Sequence, residues 1–134
     1  MPKFNRSSID DLKKYIYCSN VHDAKIETMS YDIEKKIFMI RAVNSIYGEE
    51  INFFFNEVKN ILFVSGNEMG NRETIISLTV EEDSSYRSLF TNMCSDCLSN
   101  SIYLLFQMFS GDELHILSKN VLIDKCDMKS LKLL

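Results

Sequence analysis

The chain has 134 residues, 46% of them hydrophobic and 25% charged, and its 15 Lys and Arg against 19 Asp and Glu give a formal charge of -4. That balance excludes a disordered chain, which combines low hydrophobicity with high net charge, and the length suffices to bury roughly two thirds of the unfolded surface without disulfide or metal staples. A single domain over residues 1–134 is the expected organisation, since nothing repeats at a fixed period and the only proline is Pro2.

Several partner classes fall away at this level. No basic run is denser than Lys35-Lys36, so the sequence offers no footprint for nucleic acid, whose affinity is dominated by phosphate charge. No apolar run approaches the ~18 residues of a membrane-spanning helix. The start, Met1-Pro2-Lys3-Phe4-Asn5-Arg6, lacks the apolar core of a signal peptide. The expected compartment is therefore the cytoplasm, where thiols stay reduced.

Taken in chain order, the first element reads as a helix over residues 8–18. Ile9, Leu12 and Ile16 recur at spacings of three and four, and Ser8 and Asp11 have capping-box spacing. After Asn20 and His22-Asp23 the period changes to two. Ala24, Ile26 and Thr28 alternate with Lys25 and Glu27, the pattern of a half-wet strand near a sheet edge. A turn at 32–35 leads to residues 37–43, apolar in both alternating sets apart from Arg41, and so expected to be buried on both faces. Its hairpin partner follows, with Ile51, Phe53 and Phe55 on one face and Phe54 on the other. Further strands are expected over 58–64 and 74–80, the second with Ile76, Leu78 and Val80 inward, separated by a loop carrying Gly66 and Gly70.

Tyr86, Leu89, Phe90, Met93 and Cys97 form a helical stripe, which predicts a second helix over residues 84–98. Residues 102–109 contain one polar side chain in eight, and Ser110-Gly111-Asp112 reads as a hairpin loop. On the returning strand Leu114 and Ile116 point inward and His115 lies on the other face, partly exposed. Lys119-Asn120 is expected to turn the chain once more before Val121-Leu122-Ile123. The fold class this implies is α+β: a curved, mainly antiparallel sheet of about seven or eight strands, barrel-like or a sandwich, with an N-terminal helix and one inserted helix. Three segments apolar on both faces (37–43, 51–55 and 102–109) demand a cover on each side of the sheet. The candidates are the helices, the curl of the sheet itself, or a second copy of the chain as a homodimer.

Motifs that carry chemistry are sparse. Cys94-Ser95-Asp96-Cys97 has the spacing at which two sulfurs reach one tetrahedral metal, but it is half a site, and Cys18, Cys126, His22 and His115 show no matching pair. The plainer reading is that Cys97 is a small core residue with Cys94 beside it. His22-Asp23 reads as turn chemistry, in which Asp accepts backbone N–H groups. The acids Glu49-Glu50 and Glu81-Glu82-Asp83 read as solvated turns rather than a hydrolytic pair. Neither a dinucleotide nor a phosphate loop can be built from the four glycines. No cofactor is expected.

Phe54, Tyr103, Leu105 and Phe109 would form an interaction surface if the second face of the sheet were open. The hairpin Phe109-Ser110-Gly111-Asp112-Glu113-Leu114-His115-Ile116 resembles the terminal hairpins of small bacterial β-rich proteins, some of which are immunity or interaction modules; the resemblance covers under a tenth of the chain and carries no site. The expected function is thus a small non-catalytic protein-binding domain, immunity-like or adaptor-like, whose acidic edge would steer a basic partner. Two alternatives stand beside it: a metal-dependent or hydrolytic enzyme using Cys94 and Cys97 or the acids from Glu81 to Asp83, and a carrier of a small apolar ligand.

Overall fold

Phe53, Phe55 and Phe106 meet at the centre of the fold, with Phe106 edge-on to Phe53 at 5.4 Å between ring centroids and to Phe55 at 6.3 Å. All three are fully buried, and each contributes roughly 2 to 3 kcal/mol by apolar area removed from water. The computed structural model describes residues 2–66, 74–81 and 100–128. In these, strands β1 (Lys3–Asn5), β2 (Lys25–Asp32), β3 (Ile37–Asn44), β4 (Glu49–Val64), β5 (Ile75–Val80), β6 (Ile102–Met108) and β7 (Glu113–Asp127) form one antiparallel sheet. A short 3-10 turn, Arg6–Ser8, leads into helix α1 (Ile9–Tyr17) between β1 and β2.

The order across the sheet is β2-β3-β4-β7-β6-β5, with β1 beside β7. On the edge of β7 away from β4, β6 pairs with one stretch and β1 with the next. The sheet curls far enough for its two outer strands to touch at one corner. There the Ile75 N–H donates to the Ala24 carbonyl and the Asp23 N–H to the Ile75 carbonyl, both at 2.9 Å. A single bridge, Lys25 to Thr74, joins the edges. The sheet is therefore strongly curved but neither a closed barrel nor a sandwich. Its concave side holds the core, to which α1 adds Ile9 and Leu12 while packing on β5 and β1.

The helix forms where its apolar spacing predicts, with Asp10 and Asp11 in its first turn favourably placed at the positive end of the dipole. The capping box, however, lies a turn earlier than Ser8 and Asp11. Asn5 Oδ1 accepts the Ser7 N–H at 3.0 Å and Ser8 Oγ accepts the Asn5 N–H at 2.9 Å, so these residues cap the 3-10 turn. At the other end of the helix–strand connection, buried Asn44 donates through Nδ2 to the Asn20 and His22 carbonyls, and its Oδ1 accepts the Ile46 N–H at 3.1 Å. Asp23, at φ 70, takes the left-handed conformation that Asp tolerates at such a corner.

Further expectations need correcting. The strands anticipated over 51–55 and 58–64 are one strand, β4, kept continuous by a register shift between Val58 and Asn60 that leaves Lys59 as the extra residue of a bulge. No turn occurs at Lys119-Asn120: Asn120 is paired with Asn56, whose Nδ2 donates to the Asn120 Oδ1 at 2.7 Å, and the two long strands bend together. Residues 37–43 are covered on one face only, Met39 being exposed and Ile37 and Val43 half-buried on the other. His115 is on the face expected but is buried rather than partly exposed. The helix anticipated over 84–98 lies outside the described residues.

β6 does bury both of its faces. Leu104 and Phe106 enter the main core, while Tyr103 and Leu105 are buried on the opposite face beside His115 and Leu117 of β7.

Candidate functional site

β2 is an outer strand among the described strands, and only its start is joined to another described segment on its far edge. Its start is tied to Thr74, and a register shift between Ile26 and Thr28 makes Glu27 a bulge. Beyond the bulge, Thr28–Asp32 pairs in regular register with Arg41–Ile37 of β3 on one side, and no described strand pairs with the other. Such an edge carries a row of unpaired N–H and C=O groups.

The side chains along this edge are of two kinds. Met29 and Tyr31 lie on the face of Ile40 and Phe38, as the register requires, yet remain 47% and 44% exposed. Ile33 continues the apolar row into the turn and is exposed as well. Glu27, Asp32 and Glu34 supply negative charge, with Lys35 and Lys36 in the turn; the Lys35 N–H donates to Asp32 Oδ1 at 3.0 Å. The edge thus offers backbone hydrogen bonds, an apolar row and an acidic margin within one short segment.

The sites anticipated from sequence are dispersed. Cys94, Cys97, Glu82 and Asp83 lie outside the described residues. Glu81 accepts the Thr79 hydroxyl at 2.6 Å. Glu49 accepts from Asn20 Nδ2 at 3.0 Å, and Glu50 is paired with Arg41 and accepts from Asn52 Nδ2 at 3.3 Å. His22 Nδ1 is 3.0 Å from Asp23 Oδ2 at an exposed corner. Among the described residues, no three His, Cys, Asp or Glu side chains come close enough to hold a metal ion. Tyr103 and Leu105 share a buried face of β6, Phe54 is half-buried on β4, and Phe109 is exposed in the β6–β7 turn.

Two arrangements were not legible in the sequence. One is a polar chain in which the Tyr103 hydroxyl meets His115 Nδ1 and His115 Nε2 meets Glu113; its only trace in the sequence is the i, i+2 spacing of Glu113 and His115 on a strand. The other is an open cleft of about 670 Å³ that gathers Arg6, Lys59 and Lys119 around Glu57. These four come from three separate parts of the chain, which is why no basic cluster shows in the sequence. Glu57 sits at φ 48 next to the β4 bulge, a conformation costing a non-glycine residue about 1 kcal/mol or more.

Comparison with protein-family models, with curated proteins and with solved structures finds no match. No helix among the described residues is long and apolar enough to cross a membrane.

Proposed function

We propose that this chain is a small non-catalytic protein-binding domain, immunity-like or adaptor-like, that takes an extended, basic segment of its partner as an additional strand on β2. The observation that carries this reading is the edge Thr28–Asp32, which no described strand pairs on its far side, with Met29 and Tyr31 exposed on one face and Glu27, Asp32 and Glu34 alongside. In strand addition the main-chain hydrogen bonds supply affinity and alternate side chains supply specificity. Met29 and Tyr31 would meet every second residue of the incoming strand. The acidic margin would favour Lys or Arg on its other face and speed the encounter.

The test uses a defined probe, a short peptide alternating Val with Lys, and its counterpart alternating Val with Glu. The expected result is saturable NMR shifts centred on residues 28–32 with the Lys peptide, lost in Tyr31→Lys, and a weaker response to the Glu peptide. Shifts elsewhere, or equal binding of the two peptides, would overturn the reading. The enzyme alternative rests on Cys94 and Cys97 or on the acids Glu81 to Asp83, and no described contact adds support to it.

A further inference from the structure

We infer that the cleft between β1, β4 and β7 binds a small phosphate monoester, a ligand class unrelated to the strand-addition reading and independent of it. Three cations, Arg6, Lys59 and Lys119, line the cleft in a chain whose net charge is -4. Among the described residues one carboxylate, Glu57, lines it with them, and it is paired with Lys119 at 3.3 Å. That leaves Arg6 and Lys59 as two positive charges in excess. A phosphate monoester carries nearly two negative charges at neutral pH.

The backbone explains why the charges converge. Glu57, at φ 48, leaves the inward row of Ile51, Phe53 and Phe55, Val58 is buried in its place, and Lys59, the extra residue of the bulge, is exposed on Val58's other side, so that both charged side chains line the cleft. Bulges re-aim side chains in this way and recur beside functional sites. Arg6 is held in the cleft by its guanidinium, which donates one bond to the Ser101 carbonyl at 3.4 Å. The guanidinium has five N–H donors, so several remain to address phosphate oxygens, and Lys59 adds a point charge.

Size and surroundings select the ligand. A volume of about 670 Å³ exceeds what a bare phosphate fills and falls within the range of small-molecule sites, about 300 to 1,000 Å³. The Asn100 amide on the cleft wall offers both donor and acceptor atoms to a hydroxylated remainder of the ligand. A nucleic-acid strand would need a basic track extending beyond one cleft, and the surrounding surface of this acidic chain supplies none that the sequence reveals.

The experiment is an NMR titration of isotope-labelled full chain at neutral pH and constant ionic strength, with inorganic phosphate, a hexose phosphate and a phosphoserine peptide as separate probes. Expected are saturable shifts at the amides around Arg6, Lys59 and Lys119, tighter for the hexose phosphate than for inorganic phosphate. Lys59→Gln should weaken binding about tenfold, the loss of one charge-assisted bond, and Arg6→Gln should do likewise. Lys14→Gln, which removes the same charge from the exposed side of α1, should leave binding unchanged; the same spectra report whether each variant is folded. Shifts that never saturate, that map elsewhere, or that persist unchanged in both cleft variants would overturn the inference. So would tighter binding of inorganic phosphate, which would remove the ester, or of the phosphopeptide, which would make the cleft a protein-docking site.

Discussion

The Tyr103 hydroxyl stands 2.6 Å from His115 Nδ1, in a part of the sheet where the two residues are only 5% and 1% exposed. His115 Nε2 is 3.2 Å from Glu113 Oε1, Gln107 Nε2 donates to Glu113 Oε2, and the Ser77 hydroxyl donates to Gln107 Oε1 at 2.9 Å. The chain of polar groups spans β5, β6 and β7 and satisfies groups that burial would otherwise penalise. Tyr103→Phe keeps the ring and removes the hydroxyl, and should lower stability by about 1 to 3 kcal/mol. Urea denaturation with an unchanged m-value would confirm that the loss lies in the folded state.

The aromatic centre and the β6–β7 turn give a contrasting pair. Phe106→Ala opens a cavity against Phe53 and Phe55 and should cost about 3 to 5 kcal/mol, a large share of a typical domain's stability. Phe109→Ala, at an exposed position, should change stability by less than about 0.5 to 1 kcal/mol. Parallel denaturant curves read the difference directly.

Gly66 is tightly packed against the same turn. A Cβ there would lie 2.4 Å from the Gly111 carbonyl carbon and 2.7 Å from the Ser110 oxygen, both backbone atoms with little freedom to move. Its N–H donates to Asp112 Oδ1. Gly66→Ala should therefore destabilise by about 1 to 3 kcal/mol, as overpacking does, seen as a lower Tm. An unchanged Tm would mean that the loop does not approach the turn this closely.

Alkaline pH should weaken the fold through Tyr15. Burial, then the charges of Asp124 and Glu49, raise its phenol above the ordinary 10.0. The unfolded chain thus releases this proton at a lower pH than the folded one. The contribution is intact below the unfolded pKa and is lost as pH rises through the higher folded value. Unfolding free energy should decline from about pH 10 upward, and Tyr15→Phe should flatten that limb in a pH series of denaturant curves.

Thiol chemistry should distinguish the two described cysteines. Burial and the negative charges of Asp124 and Glu50 push the Cys126 thiol up, and its Sγ donates to Asp124 Oδ2 at 3.8 Å. Because the thiolate is the reactive form, exposed Cys18 should be alkylated by iodoacetamide faster than Cys126 at neutral pH. Asp124→Asn should speed labelling of Cys126. Peptide mass mapping over time measures both rates.

Where one face of an element is apolar and its period regular, the sequence was readable. Ile9, Leu12 and Ile16 placed α1, and the alternation at Phe53 and Phe55 placed the inward face of β4. Bulges were invisible, because they shift parity without any change of composition. At β5 the register shift between Ile75 and Ser77 makes Ile75 the deeply buried residue and leaves Ile76 half-exposed, contrary to the simple alternation. Asn120 looked like a turn residue because Asn favours turns, whereas its partner Asn56, far away in sequence, holds it in a ladder. The open edge of β2 was legible only as a half-wet strand. Which of its sides lacked a neighbour depended on the sheet order, and the cleft depended on bringing Arg6 to Lys59 and Lys119.

β7, synthesised after every other described strand, lies in the interior of the sheet, between β4 on one edge and β6 and β1 on the other. On the ribosome, then, the nascent chain holds two parts, β2–β4 and β5–β6, that meet by backbone hydrogen bonds at the β2–β5 corner but lack the strand that lies between them until residues 113–127 have left the exit tunnel. Folding becomes a late, nearly all-at-once event with a long window for aggregation or chaperone capture, and a stop codon before residue 113 leaves a product without its central strand rather than a slightly shortened protein.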